Sequence, residues 1–259
     1  MTDDDNTGPA LPASLELAWG LRGRPAKGPK PGLSLDQIVQ AAIAVARAEG
    51  LDAVSMGRVA KELGASTMSL YRYVAAKNEL LALMLDAGFG PPPPGPPADQ
   101  NWRDGLTTWS HALLAGYRQH PWVRHVPISG PPMLPNQVRW MEYAIRLLRG
   151  TGLTGAEKIA TLLALSGLVR NWAIISLDMA ETAQAEPGTG ADVIDGYEKM
   201  LSGLIDAERF PALTELFASE QPVDPSETDP DFDLDFGLER ILDGIEALIR
   251  SRTTNRVAA

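Results

Sequence analysis

Apolar residues recur at three- and four-residue spacing along most of the chain, the interval that a helix with one buried face requires. Leu35, Ile38, Ala42, Val45 and Ala46 share such a face, which predicts a helix from about Leu35 to Glu49, opened after Ser34 and stopped by Gly50. Ser55 precedes a short helix to Leu63, Gly64 marks a turn, a second short helix runs from about Thr67 to Tyr73, and another from about Lys77 to Ala87. Further helices are expected at about 101–119, 134–149, 154–183, 191–205, 210–219 and 234–252, and SLELAWG at 14–20 is apolar enough for a short one. No sustained alternation and no Asn-Gly hairpin signal points to a sheet, so the pattern predicts an all-α fold.

Proline and glycine cut this pattern at three joints: GRPAKGPKPG at 23–32, PPPPGPP at 91–97 and QAEPGTG at 184–190. They divide the chain into a flexible N-terminal extension over 1–33, a small helical unit over 34–89 and a larger one over 98–255. The 259 residues suffice for a large core, and the absence of cysteine excludes disulfides, thiolate metal sites and cysteine nucleophiles. The first ten residues, MTDDDNTGPA, do not resemble a secretory signal, so a cytoplasmic location is expected. The longest apolar stretch, Ile159 to Leu177, is interrupted by Ser166, Arg170 and Asn171, which suits a buried helix better than a bilayer span, and no membrane partner is expected.

Charge is distributed unevenly. The net charge is -10, yet residues 20–80 hold nine Lys/Arg against five acids, a local +4, while the remainder carries −14. A phosphate-binding head on an acidic body would look like this, and so would uneven surface charge without a partner. In the basic arm, Arg22, Arg24, Lys27 and Lys30 are threaded with Pro and Gly. Such an arm suits contact with phosphates or a minor groove, and equally a solvated linker.

The short helix pair has the requirements of a helix-turn-helix. Ala60 is small where a second helix would cross, Gly64 tolerates positive φ in the turn, and Leu70 would lock the second helix against Val59 and Leu63. Ser66, Thr67, Ser69, Tyr71, Arg72 and Tyr73 would then face the major groove, hydroxyls suiting phosphates and base edges and Arg72 a guanine edge or a phosphate. Glycine-turned helix pairs also occur in proteins that never touch DNA.

The segment Leu35 to Phe89, with Ala41, Glu49-Gly50-Leu51, Ser55-Met56, Val59-Ala60, Leu63-Gly64, Ser69-Leu70-Tyr71-Arg72-Tyr73-Val74 and Lys77-Asn78-Glu79-Leu80-Leu81, resembles the DNA-binding domain of the TetR family across its whole length. The resemblance implies that Thr67, Met68, Ser69, Tyr71, Arg72 and Tyr73 lie on the recognition helix and that Lys77 and Ser55 contact the phosphate backbone of operator DNA. Gly57 departs from members that carry a base-contacting basic residue there, and Arg58 is the neighbouring substitute.

The body continues the resemblance. FGLERILDGIEALI, in the last helix, is similar to the closing helix of the tetracycline-repressor-like C-terminal domain, which implies a homodimer through the helices near 154–183 and 234–252, and hence a palindromic operator. The 154–183 helix shows two apolar faces, one with Ile159, Leu162, Leu163, Ser166, Val169 and Ala173, the other with Leu165, Leu168, Trp172, Ile175 and Met179. The resemblance also implies a small-molecule effector cavity among the body helices. Trp109, His111, Trp140, Asn171, Trp172 and Met179 are its candidate lining, with Arg170 a further polar candidate, although aromatic and Met residues on helices also serve as plain core.

DPDFDLDFG at 229–237 fails the calcium-loop spacing and is read as a solvated loop whose Asp side chains cap the last helix. No metal or cofactor site is expected. No phosphate loop, nucleophile elbow, HExxH or dinucleotide pattern occurs, and His111, His120 and His125 lack an obvious acid or nucleophile partner, so an enzyme is not expected. The expected function is a repressor released from its operator by a small hydrophobic or aromatic effector, the alternative being a DNA-binding regulator without one.

Overall fold

The structure, a computed structural model, describes residues 11–21, 33–95, 101–128, 130–185, 200–219 and 229–257. Among them every regular element is a helix: α1 (Ala13–Ala18), α2 (Leu35–Glu49), α3 (Met56–Glu62), α4 (Thr67–Leu70), α5 (Lys77–Phe89), α6 (Trp102–Gln119), α7 (Pro135–Leu147), α8 (Gly155–Ala185), α9 (Pro211–Ser219) and α10 (Phe232–Val257). Single 3-10 turns span Leu51–Ala53 and Pro121–His125. The helix expected at 191–205 lies outside the described residues as far as 199, and residues 200–202 are helical.

Local chemistry sets most helix starts. Ser34, Ser55 and Ser66 each accept a hydrogen bond from a backbone N–H three residues on, from Gln37, Arg58 and Ser69. At α8, Thr154 and Glu157 cap each other reciprocally: Glu157 Oε2 accepts from the Thr154 N–H at 2.7 Å, and Thr154 Oγ1 accepts from the Glu157 N–H at 3.3 Å. Leu134, before α7, has no side-chain acceptor. Asp86 of α5 supplies one from across the fold, Oδ1 accepting from the Gln137 N–H at 2.8 Å.

One apolar cluster holds α2 to α5 together through Ile38, Val45, Val59, Leu70, Leu80 and Met84, and continues through Leu114, Val123, Val169 and Leu234 into the larger helices. A second cluster, with Leu106, Trp109, Leu148, Leu165, Leu238 and Leu242, joins α6, α7, α8 and α10. Residues 13–18, inside the segment read as a flexible extension, form α1, whose Leu15 and Ala18 pack on the first cluster.

α8 is long and apolar enough by composition to cross a membrane. Leu162, Leu165, Val169 and Ala173 are buried by its neighbours, whereas Ile159, Leu163, Ile175 and Met179 are exposed. The two faces expected from its sequence are therefore corrected: each mixes buried and exposed residues, because a helix apolar all round carries no marker of its own phase. The acidic stretch is also corrected. From Phe232 onward it is helix rather than loop, and the Asp231 carboxylate is taken by both Arg118 and Trp172 instead of the helix end.

Candidate nucleic-acid interface and ligand cavity

The turn between α3 and α4 rests on Gly64, at φ 61°, with the Ala65 N–H donating to the Ala60 carbonyl at 2.9 Å. Ala60, Val59 and Leu70 are buried at the crossing. α4 is shorter than expected. After Leu70 the backbone tightens, the Tyr73 N–H reaching the Leu70 carbonyl three residues back at 2.9 Å, so Tyr71 to Tyr73 form a turn.

This ending still presents an outward face. Met68 and Tyr71 are 74% and 47% exposed, Arg72 is exposed, and their spacing puts them on one side of α4 and its turn. Thr67 and Ser69 are half-buried beside them, and Lys77 is exposed at the first turn of α5. Ser55 is exposed, with its hydroxyl used in capping α3.

Two of the expected DNA-facing residues are held elsewhere. The Tyr73 hydroxyl donates to the Leu33 carbonyl at 2.8 Å, tying the end of α4 to the start of α2. Arg58 is forked between Glu49 at 2.6 Å and Glu62 at 2.8 Å. Hydrogen bonding to Glu49, then to Glu62, raises the pKa of Arg58, and the Arg58 hydrogen bond holds the Glu49 carboxyl below its usual range.

Behind the helix-turn-helix lies a cavity of about 550 Å³. Ala82, Leu83, Asp86 and Phe89 of α5 form one wall, Leu113 and Tyr117 of α6 and Trp140 of α7 another, Ser166 and Arg170 of α8 a third. Pro12, Ser14 and Leu15 at α1, together with Pro127, Ile128 and the run from Gly130 to Leu134, complete it. Phe89 meets Tyr117 edge-on at 5.1 Å and Trp140 at 6.3 Å, and the Trp140 indole N–H donates to the Gly90 carbonyl at 3.1 Å. The wall is thus aromatic and rigid, with a few polar groups set in it.

Those polar groups are partly committed. Arg170 donates to the Val126 carbonyl at 2.8 Å. Burial pushes the Asp86 carboxyl and the Tyr117 phenol up from their ordinary values. Asp86 spends one oxygen on the α7 cap already described.

Of the six residues expected to line the cavity, Trp140 does. Trp109 is buried behind it, its indole N–H donating to the Trp140 carbonyl at 3.1 Å. His111 Nε2 lies 2.9 Å from Asp235, and Trp172 donates to Asp231 at 3.2 Å, both tying α10 to its neighbours. Asn171 and Met179 are exposed on α8. Arg170, named with them as a polar candidate, is in the cavity wall. The α5 and α1 contributions went unread from sequence. The run LLALMLDAGF, apolar on every side yet carrying one acid, was the available signal that α5 is covered on two faces.

Known proteins with these features share both halves. Residues 38–84 match the family model for bacterial regulatory proteins of the tetR family, and residues 94–249 that of the tetracyclin repressor-like C-terminal domain. The HTH-type transcriptional repressor DrrR1 of Streptomyces coeruleorubidus is 41% identical over 241 residues, covering 92% of this chain and 87% of that one. The apo ActR crystal structure from Streptomyces coelicolor superimposes with TM-score 0.68 at 29% identity, over 86% of this chain and 99% of that one. The ActR complex with actinorhodin gives TM-score 0.66 at 30% identity, over 84% and 98%.

Proposed function

The chain belongs to the TetR family of bacterial regulators, and from that premise we propose that it holds operator DNA as a two-fold dimer and releases it when a small hydrophobic or aromatic effector fills the cavity behind α5. The observation that carries this reading is the double duty of α5. Its first turn presents Lys77 next to the α4 face, and its later turns, through Ala82, Leu83, Asp86 and Phe89, wall the cavity. A guest that shifts this wall tilts the head, so the two recognition helices lose their match to successive major grooves.

Residues 34–89 are then the operator-binding head, with Thr67, Met68, Ser69, Tyr71 and Arg72 facing the groove and Ser55 and Lys77 on phosphates; residues 98–255 are the effector and dimer body. The exposed apolar residues on the two flanks of α8, Ile159 and Leu163 on one and Ile175 and Met179 on the other, with Phe232 and Phe236 of α10, are the surface assigned to the partner protomer. A roomy aromatic cavity favours an effector over a regulator that works without one, and ActR, with actinorhodin bound, offers a precedent in its relative. In this reading the protein acts on DNA in the cytoplasm and has no catalytic task.

Titration of the purified protein onto DNA from upstream of its own gene, across a range of salt, tests the head. Binding should be steeply salt-dependent, and Tyr71→Ala with Arg72→Ala should weaken it by about ten-fold or more. A panel of flat aromatic compounds should include some that release the DNA, and Ala82→Trp, which fills the cavity from α5, should keep DNA bound in their presence. Release that ignores Ala82→Trp would place the effector elsewhere.

A further inference from the structure

α1 stands before both matched ranges, 38–84 and 94–249, yet it closes the cavity. Pro12, Ser14 and Leu15 form part of the lining, and Ser14 is 1% exposed. Two hydrogen bonds fasten the helix at opposite ends. The Ser14 hydroxyl donates to Glu79 Oε1 on α5. The Trp19 indole N–H donates to the carbonyl of Met133, itself a lining residue, at 2.9 Å. Leu15 and Ala18 add apolar contact with the core.

Glu79 gives the first of these ties its meaning. Its other carboxylate oxygen, from the third position of α5, accepts from the Ala75 N–H in the turn that leads into that helix. The same side chain therefore grips α1, borders the cavity and holds the α5 start, two residues from Lys77.

α1 has six residues, far too few to persist as a helix in water without the surface beneath it. It forms while docked, and so short an element near the chain end is among those that open most readily.

We propose that α1 is a strap over the effector site: a flat apolar guest enters and leaves when α1 lifts, so the Leu15 and Trp19 contacts set how long the guest stays, and Ser14 reports closure to the α5 start through Glu79. This inference rests on the effector reading above. The guest is of the class that the lining accepts, an aromatic molecule able to reach from Phe89 and Trp140 to Leu15.

The test uses the full chain and the aromatic dye anilinonaphthalenesulfonate as probe, counting only the fluorescence that Ala82→Trp removes. Dissociation is followed by stopped flow for the parent, for Trp19→Ala, and for Leu15→Ser combined with Trp19→Ala. Trp19 is 45% exposed, so its replacement leaves the core intact. The single variant should release the dye about three-fold faster and the double variant about ten-fold faster. Equal dissociation rates in all three proteins, with an Ala82→Trp-sensitive signal present, would overturn the strap and leave the effector site standing. Absence of any such signal in the parent would overturn the effector reading and the strap with it.

Discussion

His120 shows how a single side chain can serve as a joint. It ends α6, is buried, and its Nδ1 lies 3.1 Å from an Arg47 guanidinium on α2. Arginine can only donate, so Nδ1 accepts and the ring is neutral. Burial first, then the Arg47 charge, lowers its pKa below the ordinary 6.5, while a hydrogen bond with the Gly88 backbone opposes them. The depressed folded pKa means that the unfolded chain takes up the proton first as pH falls. The stabilisation is complete above about 6.5 and is lost as pH drops from there through the folded value. His120→Gln keeps an acceptor for Arg47 without titrating. Melting curves between about pH 7.5 and 5.5 should show the parent losing Tm toward acid and this variant losing less. Identical slopes would mean that the loss belongs to other groups. Asp86 carries the opposite lesson about legibility. It stands alone among apolar neighbours in the sequence, and its reason, the uncapped start of α7, lies fifty-one residues away at Gln137.

Among the elements, α5 and α6 meet more closely than their sequences suggest. A Cβ added at Gly116 would come within 2.6 Å of the Phe89 ring, closer than real Cβ contacts allow, so the glycine is required by the crossing and not by its backbone angle. Gly116→Ala should push Phe89 toward the cavity and destabilise the fold by about 1–3 kcal/mol, seen as a fall in Tm of roughly 2–4 °C per kcal/mol. An unchanged Tm would show that Phe89 moves aside freely. α4 was legible as an element but not in length: after Leu70 the Tyr73 N–H turns to the carbonyl three residues back, and the Tyr73 hydroxyl, a long-range partner invisible in the sequence, reaches the Leu33 carbonyl. α8 was legible in extent and not in phase. Its reciprocal Thr154–Glu157 cap is encoded within four residues, but which side faces the core depends on α6 and α10.

At the scale of the molecule, the exposed apolar flanks of α8 lead to a measurement of assembly. Leu163 is 72% exposed in the protomer, and we expect it to be covered in the dimer. Leu163→Glu should forfeit about 1.5–3 kcal/mol of apolar burial on each side of the two-fold and leave a desolvated charge there. Light scattering after gel filtration should then report a monomer, and operator affinity should collapse because one head alone reads only one half-site. A dimer that survives this substitution would move the interface off α8. The charge asymmetry belongs to the same scale: an acidic remainder limits the surface on which polyanions can settle, and the excess of basic residues over 20–80, four of which lie in the arm at 22–30, is expected to draw DNA to that part of the chain.

By itself the sequence determined what depends on neighbours within a turn or two. The helical class follows from the apolar period, the helix starts from Ser34, Ser55 and Ser66, and the helix-turn-helix from the spacing of Ala60, Gly64 and Leu70, since caps and turns are settled over three to five residues. The tertiary structure alone decided where the cavity lies, that α1 closes it, that Arg58 is forked by Glu49 and Glu62, and that Trp109, His111 and Trp172 brace helices while Arg170 lines the cavity. The physical reason is that a uniformly apolar helix has no preferred side until its partners arrive, and that a contact such as Ser14 with Glu79, sixty-five residues apart, leaves no period in the chain for a reader to find.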